Sequence, residues 1–129
     1  MEDNSNVIDG SKSQVCLCAL DGVMDLIGRK WVLFVVNAVG RHGVARFKDL
    51  YKELRGVSPS TLASVLRILE AQGILKRSSY PEIPPRVEYS LTKKGEELRR
   101  AIIPLLIWAS SEDIQTQKRC DPSFYVQVV

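Results

Sequence analysis

Residues 46–73 read RFKDLYKELRGVSPSTLASVLRILEAQG. Phe47, Leu50, Tyr51 and Leu54 recur at spacings of three, one and three, which places them in one stripe of a short helix from Arg46 to Leu54. Arg55-Gly56 breaks that helix. Ser58-Pro59 then supplies an N-cap and a proline at the first helical position, where a missing N–H costs nothing. Leu62, Val65, Leu66 and Leu69 form the inward stripe of the second helix, and Gly73 closes it in the left-handed conformation. Two helices joined by so tight a turn make a helix-turn-helix pair.

Upstream, Leu17, Leu20, Val23, Met24 and Ile27 mark an amphipathic helix that Gly28 ends. Trp31 to Val39 is almost wholly apolar and reads as a buried helix, although its β-branched residues also allow a strand. Gly40-Arg41-His42-Gly43 reads as a loop. Downstream the period changes to two. Ile74 to Tyr80 and Arg86 to Leu91 are strands, and Pro81-Glu82-Ile83-Pro84-Pro85 is the exposed loop between them. Thr92 caps a last helix with Leu98, Ile102, Leu105 and Leu106 inward, and Pro104 predicts a kink or local break.

The expected fold is mainly α with a small β-hairpin, a winged helix-turn-helix. Residues 1–14 read as a flexible leader, 15–111 as the domain and 112–129 as a C-terminal tail whose end, Phe124 to Val129, pairs as an edge strand or hangs free. The first and last helices carry more apolar surface than three helices and a hairpin can cover, including Ile103, Leu106 and Trp108. They are expected to form a dimer interface.

A chain of 129 residues fits one domain, and no apolar run approaches the roughly 18 residues of a membrane span. Met1 to Ser13 has neither the basic nor the apolar region of a signal peptide, so a cytoplasmic location with reduced cysteines is the default. Between Gly28 and Arg100 stand 15 basic and 7 acidic residues; the flanks hold 3 and 8. A basic centre between acidic ends points to a polyanion, with a scattered solvated set as the other reading. No phosphate-cradling glycine motif, histidine pair or nucleophile elbow is present, which argues against an enzyme. Cys16, Cys18, Cys120 and His42 lack zinc-ligand spacing, and His42 has no carboxylate nearby in sequence.

Several motifs occur in a specific order: Leu26-Ile27-Gly28-Arg29-Lys30-Trp31, Arg46-Phe47 with Leu50, and Leu66-Arg67 with Leu69-Glu70 and Gly73. Pro84-Pro85-Arg86-Val87-Glu88-Tyr89 follows, with Leu91-Thr92, Gly95 and finally Trp108. In these, the segment from Cys18 to Trp108 resembles the HxlR family of bacterial and archaeal transcription regulators, relatives of the MarR group. The resemblance implies a homodimeric, sequence-specific DNA-binding regulator with its wing, about residues 80–86, at the minor groove. It also allows Cys18, near the start of the first helix, to sense oxidants or electrophiles, against the plainer reading of a small interface residue.

The helix of about residues 58–72 would enter the major groove. Ser60, Ser64 and Arg67 lie opposite its leucine stripe, with Ser58 and Thr61 near its start. Arg67 is the one long donor from Ser58 to Leu69, unless Glu70 or Glu53 pairs with it. Lys30 and Arg46, at helix starts, and Lys76 and Arg77, on the first strand, suit phosphate contacts or solvation. Arg86 leaves a stiff proline loop and either enters a narrow A·T minor groove or pairs with Glu82 or Glu88. The expected partners are duplex DNA, a second copy of the chain and a small effector of unidentified chemistry. No membrane, cofactor or metal is expected. The other reading of the same scaffold is a winged-helix protein-interaction module that does not bind DNA.

Overall fold

The computed structural model describes residues 16–111, so the expected leader and tail fall outside it. The order is α1 (Cys18–Ile27), α2 (Val32–His42), α3 (Phe47–Glu53), α4 (Pro59–Ala71), β1 (Leu75–Tyr80), β2 (Arg86–Leu91) and α5 (Lys93–Ser111). Helix α2 runs through the middle, with Val32, Val35, Val36 and Val39 fully buried. Its apolar run is a helix, which closes the strand alternative. Against it pack Leu50 of α3 and the leucines of α4, Leu62, Leu66 and Leu69. A fully buried leucine contributes about 1.5–3 kcal/mol, so the leucine face rather than helix propensity fixes α4.

The strands β1 and β2 pair antiparallel from Leu75↔Leu91 to Tyr80↔Arg86. Ala45, between α2 and α3, exchanges backbone hydrogen bonds with Tyr89 at 2.9 and 2.8 Å and anchors the hairpin to the core. Ser58 Oγ accepts the Thr61 N–H at 3.1 Å, the cap its sequence predicts. Gly73 ends α4 with φ +76°, again as expected.

The end of α4 is also held from outside. Thr92 Oγ1 donates to Gly73 O at 2.6 Å and accepts the Gly95 N–H at 3.1 Å, while Lys94 Nζ donates to Gln72 O at 2.9 Å. A Cβ on Gly95 would strike the Ile74 carbonyl oxygen, so only glycine permits this approach. Thr92, just ahead of α5, and Lys94 in its first turn thus grip the two carbonyls that follow α4.

Four expectations differ from what is observed. Gly40, Arg41 and His42 are the last turn of α2, not a loop. Tyr51 is exposed and stacks on Phe47, 6.4 Å between ring centroids, rather than facing the core. Leu105 and Leu106 are exposed, whereas Ile102 is buried. Helix α5 continues unbroken through Pro104. The carbonyl that proline leaves unbonded belongs to Arg100, an exposed residue whose carbonyl water can satisfy.

Candidate nucleic-acid interface

The turn between α3 and α4 depends on Gly56, whose φ of +96° a side chain would resist. Trp31 lies beneath it, and Lys30 Nζ stands 5.1 Å from the Trp31 ring centroid. Opposite the buried leucines, α4 presents Ser60 and Arg67 exposed, with Thr61 and Ser64 half-buried. Small side chains leave this face close to the helix backbone, as entry into a groove requires. Ser58 is committed to the cap, its Oγ also 2.9 Å from Thr61 Oγ1. Arg67 has no ion-pair partner among the described residues. Glu53, one partner considered for it, is instead taken by Arg41 and by His42, with Nε2 2.8 Å from Oε1. His42 therefore does have a carboxylate, eleven residues on, where α2 and α3 meet.

Arg46 precedes α3, and its backbone N–H donates to Asp49 Oδ2 at 3.1 Å. Lys76 and Arg77 are exposed on β1, which follows α4 directly and packs on it. Arg86 is not free. One guanidinium nitrogen donates to Glu82 at 2.9 Å and the other to Glu88 at 3.1 Å. The group lies over the Tyr80 ring, 4.2 Å from its centroid, with its Nε buried and unpartnered. Sequence reasoning named both carboxylates but missed Tyr80, which pairs with Arg86 across the strands. An aromatic and an arginine flank the proline loop in sequence, but only the strand register shows that they meet.

Cys16 and Cys18 are joined in a disulfide. The expectation was reduced thiols; Cys16 precedes α1, and the Cα atoms lie 5.2 Å apart. Among the described residues no three His, Cys, Asp or Glu side chains could together hold a metal ion. No helix of those residues is long and apolar enough to cross a membrane.

Residues 26–117 match the family described as HxlR-like helix-turn-helix. An HTH-type transcriptional regulator of Synechocystis sp. is 43% identical over 89 residues, which cover 69% of this chain and 65% of the relative. The match thus spans just under two thirds of that relative's length. Two solved structures share the fold. A transcriptional regulator from Salmonella typhimurium is 38% identical with a TM-score of 0.63, covering 72% of this chain and 82% of that one. A regulator described as of the MarR family, from Enterococcus faecalis V583, is 29% identical with a TM-score of 0.71, covering 81% and 94%.

Proposed function

The chain belongs to the HxlR-like helix-turn-helix family of transcription regulators, and from that premise we propose that it binds duplex DNA sequence-specifically as a homodimer in the cytoplasm. The observation that carries this reading is the outer face of α4, with Arg67 exposed among small hydroxyl residues and without an ion-pair partner among the described residues. In this reading Ser60, Thr61, Ser64 and Arg67 meet base edges or adjacent phosphates. Arg46, Lys76 and Arg77 meet phosphates, and Ser58 holds the helix start. Lys30, drawn over Trp31, is left out of the count.

Two α4 helices related by a two-fold axis require a pseudo-palindrome with half-sites about one helical turn, or a multiple, apart. Footprinting on genomic DNA should find such sites. On them, Arg67→Ala should reduce discrimination at one base pair of each half-site by about 1–3 kcal/mol, while Lys76→Ala weakens all sequences alike. Equal loss on specific and random DNA for Arg67→Ala would demote Arg67 to a phosphate contact.

Arg86 serves the wing from within. Its two carboxylates and Tyr80 brace the hairpin, and a minor-groove contact would first have to break both ion pairs. Partly exposed pairs of this kind contribute about 0.5–1 kcal/mol, which corresponds to a few degrees in melting temperature. Arg86→Ala is expected to lower the melting point by that amount and to cost equal affinity on A·T- and G·C-flanked sites. A loss confined to A·T flanks would restore Arg86 as a direct reader of groove shape.

A further inference from the structure

The loop of the hairpin, Pro81-Glu82-Ile83-Pro84-Pro85, is exposed throughout, and Ile83 at its centre is fully so. It is poorly equipped to read a groove by polar contacts. Three of its five residues are prolines, which have no N–H, and the Glu82 N–H already donates to Tyr80 O at 2.8 Å. At most one backbone donor, that of Ile83, is left at the tip. The charges are drawn back as well, since Glu82 pairs with Arg86, which Glu88 and Tyr80 hold against the strands. A lone exposed isoleucine needs no explanation by itself. Here the prolines fix it, with Pro84 and Pro85, as an apolar point at the end of a braced hairpin.

We infer that Ile83 is a wedge, which enters the minor groove beside each half-site and partly unstacks one base step. The inference rests on the DNA-binding reading above and adds to it the contact that the wing tip makes. Strand β1 starts soon after α4 and packs on it, and from Leu75 to Tyr80 it carries the chain about 17 Å. That is roughly half of the 34 Å or so of one duplex turn, so a hairpin rooted beside a major groove reaches the adjacent minor groove. Its charge is arranged to match. Lys76 and Arg77 stand exposed near the root, where phosphates would border the groove, and the apolar point lies at the far end, where base edges and stacked faces would be. Glu82 would approach the phosphates already paired with Arg86, which offsets its repulsion. Aliphatic side chains and prolines are among those that part base steps in this way, bending the duplex toward the major groove by about 20–90°. Pyrimidine–purine steps are the ones that unstack most readily.

The test uses the full chain and a duplex recovered by footprinting, end-labelled for energy transfer. The duplex carries 2-aminopurine at each pyrimidine–purine step in turn, in the minor grooves about half a turn from the half-sites. The unaltered chain should bend it by about 20° or more and raise 2-aminopurine fluorescence at one step, as an unstacked base does. Ile83→Ser, a change at a fully exposed loop position, should leave the melting point where it is. It is expected to lose the bend and the fluorescence rise and to bind about tenfold more weakly, since the isoleucine no longer gains burial between bases. Ile83→Leu should keep both signals. A bound duplex that stays straight with every 2-aminopurine quenched, or an Ile83→Ser protein that bends and unstacks it unchanged, would overturn the wedge and leave the DNA-binding reading standing. Failure to bind any duplex would instead refute that reading and this inference with it.

Discussion

Raising the salt from 50 to 200 mM is expected to weaken binding of the chain to its duplex site by about 10⁴-fold. Four of the cations assigned to DNA, Arg46, Arg67, Lys76 and Arg77, carry no carboxylate partner among the described residues. Two copies would bring about eight charges into the phosphate field, Arg67 displacing counterions there even while it reads a base, and the salt exponent is close to 0.9 per phosphate neutralised. A fourfold change in salt raised to about the seventh power gives the stated loss. Arg41 and Arg86 do not enter the count, because Glu53, Glu82 and Glu88 already neutralise them. Fluorescence anisotropy with a labelled duplex across a salt series measures the slope. A loss below about tenfold would sink the electrostatic account and favour the protein-interaction module.

The second large effect concerns assembly. Helices α1 and α5 both pack on α2, and with Leu17 at the cap of α1 they expose Leu20, Val23 and Met24 on one, Leu105, Leu106, Ile107 and Trp108 on the other. Isolated apolar residues at a surface need no explanation, but seven on two helices that share a packing partner, and an eighth at the cap of one, call for a cover. In the proposed homodimer a second copy would supply it, as an isologous contact between the same helices. Ile107→Asp with Leu20→Asp should give a folded monomer by sedimentation. Losing one half-site should then remove most of the advantage of specific over random DNA, about 10³-fold or more. A double variant that still sediments as a dimer, or a monomer that binds its site unimpaired, would refute the two-fold reading.

Much of this fold was legible in sequence because local signals agreed with burial. Ser58-Pro59 marked the start of α4, the leucine spacing its inner face and Gly73 its end; alternation of Val87, Tyr89 and Leu91 marked β2. What misled was a residue serving something distant. Gly40 reads as a breaker, but it sits inside α2 because the Arg99 side chain lies where a Cβ would go. Leu105 and Leu106 follow the helical period, yet the face they mark is turned away from this chain's own core. Pairing Arg86 with both carboxylates and Tyr80 requires the strand register, which no spacing rule supplies.

The grip of Thr92 and Lys94 on the end of α4 turns α5 into a caliper. Its 19 residues span about 28 Å, with the reading helix fastened near one end and the apolar patch at the other. In the proposed dimer the gap between the two α4 helices would be set by a stiff rod and by where along it the copies meet, rather than by slack in a loop. Sliding the apolar residues one turn along α5 would move that meeting point by about 5.4 Å without touching a single DNA contact. On the proposed reading, operator spacing would be retuned at a distance, by substitutions that leave the recognised bases unchanged.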